Sequence, residues 1–496
     1  MDALLAALGQ VLTPGVLGVV VAAACYGLTI GAIPGLTATM GTALLVPVTF
    51  FLDPIPAIGA IVAATTTAIF AGDIPGALLR IPGTPASAAY TDEAFRMREK
   101  GQAELVLGVN LVCSVIGGLV GVAVLVLAAP QIAHFGLRFS SYEYFWLALL
   151  GLSCAVLVST GPAAKGVASL CIGLLLSTIG LDVVLGYPRF TFGSTEMIGG
   201  ISIIPVLIGM FAIAEILRKC AGPGTAARVP RLRLGATTRG VGGTIWRYKG
   251  GVARSSLLGT VIGALPGAGA DIAAWIAYAL SKRFSRTPER FGTGHPEGIV
   301  SASSANNAAL SGAYVPALVF GIPGDTITAI LIGVLLMKGI TPGPMVFVMD
   351  AGLVNAVFAV FALANLILLP LGLLAIVGAR HLLSIPQPVL FPVILLFCIV
   401  GAFAANNTLF DVWVMLILGL AAFALEENGF PLAPMILALI LGPLIEENFM
   451  QSIIKSDGAV LAFFDRPIAG TLGVLTLAVW AAMIAFALRR SRAVPA

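Results

Sequence analysis

Two short stretches, Gly31–Thr37 (GAIPGLT) and Gly263–Gly267 (GALPG), place a Pro-Gly pair inside apolar sequence. Proline removes a backbone donor and glycine permits dihedrals that other residues avoid, so each pair is expected to interrupt a helix. A second pair of interruptions follows at Ile81–Gly83 and Ile322–Gly324. Backbone groups freed inside a bilayer must be satisfied by protein, water or a ligand. One such pair alone would indicate a kinked helix, but matching interruptions in two halves predict a transporter binding site.

The sequence around these interruptions is apolar throughout. Of 496 residues, 59% are hydrophobic and 10% are charged, and the mean hydropathy is +1.04. Soluble domains carry about 25% charged residues, and no core is large enough to bury so much apolar surface. At about 20 residues for each crossing, we predict an all-α polytopic membrane protein with roughly 12–15 hydrophobic segments.

The order of motifs divides the chain into two similar halves. Three prolines of the first half recur in the second in the same order and at nearly equal spacing: Pro34, Pro82 and Pro205, then Pro266, Pro323 and Pro434. The stretch 218–254 has basic residues and no acidic residue, so the positive-inside rule places it in the cytoplasm. We predict a first inverted repeat over 14–217, a basic cytoplasmic linker over 218–250 and a second inverted repeat over 251–449. Residues 450–496 are expected to form a periplasmic loop, a final transmembrane helix and a basic cytoplasmic tail.

The distribution of charge favours this inverted arrangement. If each half crosses the membrane an odd number of times, the amino terminus lies outside when the linker lies inside. Most of the 27 Lys and Arg residues then fall on the cytoplasmic side. The exceptions are Arg138, Arg189, Lys338, Lys455 and Arg466.

Small polar residues crowd the interruptions. Amino ends of half-helices favour a carboxylate, whereas exposed carbonyls and hydroxyls suit Na⁺. The expected substrate-binding residues are Pro34, Gly35, Thr37, Pro82, Gly83, Thr84, Ser87, Pro266, Gly267, Gly269, Asn306, Asn307, Pro323, Gly324 and Thr326. The expected ion-coupling residues are Asp271, Asp325, Thr39 and Ser304. We expect no cofactor and no metal apart from Na⁺ as a coupling ion.

Each of these polar residues also has a purely structural interpretation. Ser and Thr satisfy local backbone groups, and Asn306 and Asn307 could join helices instead of binding a ligand. Asp325 could cap a half-helix, and Asp271 could be a first-turn residue. Pro75, which a glycine follows, adds an interruption to the first half for which the second half has no counterpart.

Motifs for other activities are missing from the sequence. It has no G-x-x-x-x-G-K-[ST] phosphate loop, no G-x-S-x-G nucleophile elbow and no H-E-x-x-H. The net charge of +4 reflects membrane topology, and no nucleic-acid partner is expected. We therefore expect a transporter and not an enzyme. Two alternatives stay open: a polytopic membrane enzyme that acts on lipid-linked substrates, and a passive anion channel.

Several longer motifs are specific when they occur together and in order. They are Gly31–Thr37 (GAIPGLT), Ile81–Ser87 (IPGTPAS), Phe291–Gly298 (FGTGHPEG), Ala305–Ala308 (ANNA), Val315–Gly324 (VPALVFGIPG), Gly339–Pro344 (GITPGP) and Gly429–Pro434 (GFPLAP). In this combination the chain resembles the large membrane subunit of the tripartite tricarboxylate transporter family. The family usually has an acid shortly before ANNA, where this chain has Ser303 and Ser304.

The resemblance implies a permease of the bacterial inner membrane, and the charge analysis places its amino terminus in the periplasm and its carboxyl terminus in the cytoplasm. It implies two partners: a small four-helix membrane subunit and a periplasmic solute-binding protein. The implied substrates are small organic anions, tri- or dicarboxylates such as citrate, taken up with a Na⁺ or H⁺ gradient. We expect an elevator-like secondary transporter whose interrupted helices move against a scaffold that includes helices 104–129 and 346–378.

Overall fold

The computed structural model describes residues 2–33, 36–159, 162–182, 186–220, 232–267, 269–383 and 387–492. The elements of the first half are α1 (Asp2–Val11), α2 (Pro14–Ala32), α3 (Ala38–Phe50), α4 (Pro54–Ala71), α5 (Asp73–Leu79), α6 (Thr91–Glu99), α7 (Ala103–Gly136), α8 (Ser141–Val158), α9 (Ala163–Ser177), β1 (Gly180–Leu181), β2 (Pro188–Arg189), α10 (Ile203–Leu207) and α11 (Ala214–Cys220). A π-helical segment, Ile208–Ile213, joins α10 to α11, and short 3₁₀ turns lie at Ser87–Ala89 and Glu196–Gly199.

The second half repeats this order of short and long helices. Its elements are α12 (Leu234–Thr238), α13 (Val241–Arg247), α14 (Lys249–Gly263), α15 (Gly269–Phe284), α16 (Pro296–Phe320), α17 (Thr326–Met337), α18 (Val346–Met349), α19 (Ala351–Leu382), α20 (Gln387–Asn406), α21 (Leu409–Glu427), α22 (Leu432–Lys455) and α23 (Pro467–Arg492). Short 3₁₀ turns lie at Pro288–Arg290 and Val460–Phe464. The strands β1 and β2 form one antiparallel pairing.

Six helical segments of the described chain are long and apolar enough to cross a membrane. They are Pro14–Ala32, Pro54–Leu79, Ala103–Gly136, Ala351–Leu382, Leu409–Glu427 and Leu432–Lys455. Shorter apolar helices include α3 and α17, which at 1.5 Å per residue reach about 20 Å into a hydrocarbon core of about 30 Å. The prediction of an all-α polytopic membrane protein is therefore confirmed.

Helices α2 and α3 form a hairpin that returns to the side of the molecule from which it starts. Ile30, near the end of α2, packs against Gly41, near the start of α3. At their other ends, Val16 and Phe51 line one cavity of about 690 Å³. The first interruption is therefore the tip of a re-entrant hairpin, as its helix-breaking residues predict.

Helices α14 and α15 form the matching hairpin of the second half. Gly251, at the start of α14, lies beside Ser301 of α16, and Ser301 donates a hydrogen bond to Ser281, near the end of α15. Gly263, at the end of α14, packs instead against Ala309, further along α16. The first interruption of the second half is thus also the tip of a hairpin, and it lies beside the middle of the long helix α16.

Helix directions follow from the register of contacting residues. The contacts pair Gly59 with Val360 and Phe70 with Gly372 for α4 and α19, Gly118 with Asn365 and Leu111 with Gly372 for α7 and α19, and Gly117 with Ser304 and Gly121 with Ala308 for α7 and α16. Helices α4 and α19 are therefore parallel, α7 is antiparallel to α19, and α16 is parallel to α7. The long helices α4 and α16, against which the two hairpins pack, run in opposite directions.

Small residues bring α7 and α16 into backbone contact. A Cβ on Gly117 would lie 2.1 Å from the carbonyl oxygen of Ser304, and a Cβ on Gly121 would lie 2.8 Å from that of Ala308. Such close approach is how membrane helices associate where the lipid supplies no hydrophobic driving force. The prediction that 104–129 belongs to a scaffold concerns relative motion, and the packing shows that α7 and α16 interlock in this conformation.

The interruption expected at Pro75 lies three residues earlier in the structure. The helix breaks for one residue at Gly72, between α4 and α5, and Pro75 follows in the first turn of α5. Proline removes the hydrogen bond to the carbonyl four residues before it and disturbs that turn, so the break lies where Pro75 would cause it.

Two of the basic residues that the charge analysis placed outside the cytoplasm, Arg189 and Arg466, form ion pairs that anchor loops. Both terminal nitrogens of Arg189 donate to Glu446 on α22, at 2.6 and 2.9 Å, which ties the β hairpin to that helix. This hydrogen bonding raises the pKa of the Arg189 guanidinium. Arg466 pairs with Glu143 near the start of α8 at 3.0 Å.

The contact between α2 and α4 yields a stability prediction. A Cβ on Gly27 would lie 2.1 Å from the carbonyl oxygen of Ala64, whereas Gly18 of the same helix has open space around it. Gly27→Ala should therefore destabilise the protein by about 1–3 kcal/mol, the usual effect of overpacking. Gly18→Ala is the matched control and should be neutral or slightly stabilising. Chemical unfolding in detergent measures both, and equal stabilities would contradict the packing described.

Candidate functional site

The half-helices α3 and α17 begin side by side. The Oγ1 atoms of Thr39 and Thr326, each in the first turn of its helix, are 3.3 Å apart. Thr37 caps α3, because its hydroxyl accepts from the backbone N–H of Met40 at 3.1 Å. This contact brings together the first interruption of the first half and the second interruption of the second half.

Asp325 caps α17 with a reciprocal pair of hydrogen bonds. Its Oδ1 accepts from the backbone N–H of Thr328 at 2.8 Å, and the Thr328 hydroxyl accepts from the backbone N–H of Asp325 at 2.9 Å. The capping role considered for Asp325 is therefore present. The other carboxylate oxygen, Oδ2, faces Gly269, whose missing Cβ would lie 3.5 Å from it.

The second half's first interruption meets the turn after α5. Asp271, in the first turn of α15, accepts through Oδ1 from the backbone N–H of Ala86 at 3.2 Å. One turn further along α15, the indole nitrogen of Trp275 donates to the carbonyl oxygen of Pro85 at 3.2 Å. Asp271 thus joins the first interruption of the second half to the turn after α5 in the first half.

Two glycines join these meeting points. The backbone N–H of Gly267 donates to the carbonyl oxygen of Gly324 at 2.7 Å. Gly267 and Gly269 have φ angles of 81° and 55°, in the left-handed region that glycine adopts without strain. A Cβ on Gly269 would in addition lie 2.8 Å from the Cβ of Asp325. Direct contacts therefore connect interruptions of both halves. Of the expected site residues, Pro34 and Gly35 lie outside the described part of the chain.

The turn after α5 is closed by its own side chains. Thr84 and Ser87 each accept, through the hydroxyl, from the other's backbone N–H at 3.1 Å. Gly83 donates its backbone N–H to the carbonyl oxygen of Gly72 at 3.1 Å, so the turn folds back onto the break between α4 and α5. Thr84 and Ser87 are buried and Pro82 is exposed, so only the edge of this turn is open to a ligand.

The accessible side chains of the site combine two acids with hydroxyls. Asp271 is exposed, and Asp325, Thr37, Thr39 and Thr326 are half-buried. The two carboxylates are near enough to repel one another electrostatically. The amino ends of α3, α15 and α17 add positive partial charge at the same place. The arrangement can therefore hold a cation between the acids and an anion at the helix ends.

Asn306, Asn307 and Ser304, which we expected at the site, lie inside the helix packing. Their relative exposures are 2%, 1% and 0%. Asn307 donates to the carbonyl oxygen of Ser114 at 3.0 Å and to Oδ1 of Asn365 at 3.3 Å, which joins α16 to α7 and α19. Ser304 donates to its own helix. In this conformation none of the three lines an accessible wall, which supports the interpretation of Asn307 as a helix–helix contact.

A buried acid that the sequence analysis did not single out joins the first half to the loop between α15 and α16. Glu93 of α6 is 1% exposed. It accepts from the backbone N–H groups of Gly292, Gly294 and His295, and from the hydroxyl of Tyr278. The glycines of FGTGHPEG were the available signal, because loops with left-handed glycines form anion-binding concavities.

Interrupted helices that meet on a polytopic helical framework are typical of membrane transport proteins. The chain matches the model of the tripartite tricarboxylate transporter TctA family over residues 17–437, and it belongs to that family. The resemblance stated from the motifs is thereby confirmed.

Curated relatives come from Agrobacterium vitis. The chain is 34% identical over 456 residues, covering 91% of this chain and 90% of the relative, to an uncharacterized 52.8 kDa protein in the TAR-I ttuC' 3' region. It is 36% identical over 214 residues, covering 43% of this chain and 88% of the relative, to an uncharacterized protein in the TAR-II ttuC' 3' region. No solved structure matches the chain.

The position of Asn307 leads to a prediction that separates its two interpretations. Asn307→Ala should lower the free energy of unfolding by about 1–3 kcal/mol, because it leaves Asn365 and a backbone carbonyl without a buried donor. Asn428→Ala is the control: its side chain is exposed and donates only within its own helix, so the change should stay within about 0.5 kcal/mol. Denaturation of the detergent-solubilised protein measures both. An unchanged stability of Asn307→Ala would restore the ligand-binding interpretation.

Proposed function

We propose that the chain is the permease subunit of a binding-protein-dependent secondary transporter that takes up small organic anions. The substrates are tri- or dicarboxylates such as citrate, and the driving force is a Na⁺ or H⁺ gradient. One observation carries the proposal: re-entrant hairpin tips and half-helix amino ends from both halves converge on one place with two acids. This is the arrangement by which interrupted helices bind charged substrates inside a membrane.

The donors for a carboxylate are backbone amides. The four segments 31–39, 81–87, 264–275 and 321–328 contain neither Lys nor Arg. A carboxylate without donors is too costly to hold near the bilayer centre. The N–H groups that Thr37 and Asp325 leave uncapped at the starts of α3 and α17, with the hydroxyls of Thr39 and Thr326 beside them, are the donors that the fold provides. Amides and hydroxyls recognise the carboxylate group, so selection among carboxylates depends on the shape of the rest of the substrate.

The coupling cation is assigned to the two accessible acids. Asp271 and Asp325 interact electrostatically and reach the same junction of interruptions. A cation between them relieves their repulsion and offsets part of the charge of the substrate. Because each ligand then binds better in the presence of the other, coupling follows from electrostatics.

The proposal includes the partners and the location implied by a tripartite system. A small four-helix membrane subunit and a periplasmic solute-binding protein complete the transporter. The permease lies in the bacterial inner membrane with its amino terminus in the periplasm and its carboxyl terminus in the cytoplasm. The basic stretch 218–254 and the basic tail support this orientation.

Two inverted repeats, 14–217 and 251–449, supply the motion. The opposite directions of α4 and α16 and the matching hairpins support this division. Because α7 and α16 interlock, we place both in the moving unit of an elevator-like mechanism, together with α4 and the hairpins. The opposing surface is then formed by α8, α9 and α22, which pack on one another.

The inverted arrangement predicts the side from which hairpin ends are labelled. Asp53 follows α3 and Glu289 follows α15, so the two occupy equivalent places in the two halves. Cysteines introduced at Asp53 and at Glu289, one at a time, should react with an impermeant reagent from opposite sides: Asp53→Cys from the periplasm and Glu289→Cys only after permeabilisation. The natural cysteines are replaced by serine in the parent protein. Labelling of both sites from one side would contradict inversion.

The assigned acids predict a change in ion dependence. Asp271→Asn should raise the concentration of the driving cation needed for half-maximal uptake by about tenfold or more, the effect of losing a hydrogen bond or ion contact worth about 1.5–3 kcal/mol. The exposed loop acid Asp457 offers the control, because Asp457→Asn alters the same charge far from the interruptions. Uptake of labelled carboxylates into vesicles that contain all three subunits measures the effect. Unaltered ion dependence in a correctly inserted Asp271→Asn variant would refute the assignment.

A further inference from the structure

A second acid is buried directly behind the proposed site. Asp73, the first residue of α5, is 2% exposed. Its Oδ1 accepts from the hydroxyl of Tyr90 at 2.5 Å, while its Oδ2 is buried and finds no hydrogen-bond partner among the described residues. The Tyr90 hydroxyl in turn accepts from Nδ2 of Asn306 at 3.5 Å. The Oδ1 of Asn306 is likewise buried and unpartnered among the residues described. Two oxygens with unused lone pairs therefore lie in one buried cluster of three side chains.

No cation compensates the charge that an ionised Asp73 would carry. None of the ion pairs formed within the described part of the chain involves Asp73. An isolated ionised carboxylate is far more costly to bury than a neutral acid. A bound Na⁺ would require several oxygen ligands around an open volume, whereas a proton requires none. The close packing of these side chains favours the proton.

Few ionisable groups surround Asp73. Tyr90 contacts it directly, and Cys113 of α7 lies beside Tyr90. Helix α4 has no ionisable side chain, and α2 contributes only a cysteine and a tyrosine. On α6, Glu93 is held by the loop 292–295, and Arg80, after α5, pairs with Asp92 in the solvent. On α16 the acid Glu297 accepts from Ser285 at the far end of the helix.

Asp73 is placed so that its charge would be felt at the interrupted helices. The preceding residue, Gly72, accepts from the backbone N–H of Gly83, and it packs against Thr84 in the turn that contacts Asp271. Ionisation of Asp73 would put an uncompensated charge between this turn and α16. The packed arrangement described here is therefore compatible with the neutral acid.

From this geometry we propose that Asp73 is a proton-carrying site of the transporter, with Tyr90 as its positioning residue. The O–H bond forms at Asp73 Oδ2 when the carboxylate takes a proton from water on one side of the membrane. The same bond breaks when the proton returns to water on the other side, so no other reactant is needed. The inference rests on the proposed function, because it adds a proton to the cycle that moves the carboxylate substrate. It is separate from the cation site assigned to Asp271 and Asp325.

Infrared difference spectroscopy of the full-length permease in lipid tests the protonation directly. The carbonyl stretch of a buried carboxylic acid should be present in the wild type at neutral pH and missing in Asp73→Asn. Asp92→Asn, which removes an exposed acid of α6, should keep the band. Tyr90→Phe should shift the band to higher frequency, since the carbonyl loses its donor, and this variant tests the site even if Asp73→Asn does not fold. A spectrum in which Asp73→Asn retains the band overturns the proposal.

Transport by the complete three-subunit system tests the coupling. Carboxylate exchange between equal pools should continue in Asp73→Asn, while uphill uptake driven by a pH gradient should fall by about 5- to 150-fold, the range of typical coupling between sites. Uphill uptake with the pH dependence of the wild type in Asp73→Asn overturns the proposal. If the wild type carries no carboxylate, the proposed function itself fails, and the infrared result still decides whether Asp73 holds a proton.

Discussion

The structure depends on one constraint, that a polypeptide backbone inside a bilayer must satisfy its own hydrogen-bonding groups. The Pro-Gly pairs interrupt helices and free backbone groups, and contacts elsewhere in the fold satisfy some of these groups. Hairpin tips are brought against one another, so that Gly267 donates to Gly324 and Asp271 accepts from Ala86. Amino ends of half-helices from both halves also meet in this place. The pairing of the interruptions therefore determines where positive partial charge from helix ends is concentrated.

Sequence reasoning was most successful where the signal is local. A Pro-Gly pair breaks a helix wherever it lies, so the interruptions at residues 33–37 and 264–268 could be located without a structure. At Pro75 the break lies three residues upstream, at Gly72, because proline disturbs the helical turn that precedes it.

Sequence reasoning was least successful where a side chain has two possible environments. Asn306 and Asn307 are as costly in an apolar helix whether they face a ligand or a neighbouring helix, so composition alone leaves both interpretations open. In the structure, Asn307 makes long-range contacts with Ser114 and Asn365 that a local pattern does not reveal. The fixed register of α7 on α16 likewise depends on glycines whose partners lie far away in sequence. Which helices move together is therefore a property of packing that local patterns do not encode.

The hydrogen bonds that Glu93 accepts from the loop 292–295 have a consequence for how the protein is made. Glu93 and His295 lie 202 residues apart, so the amides that donate to this carboxylate are synthesised long after it. At about 5–20 residues per second, the interval is about 10–40 s. During that time the first half is in the membrane with an acid that has not met its partners. These hydrogen bonds can therefore form only in a chain that has been synthesised past residue 295.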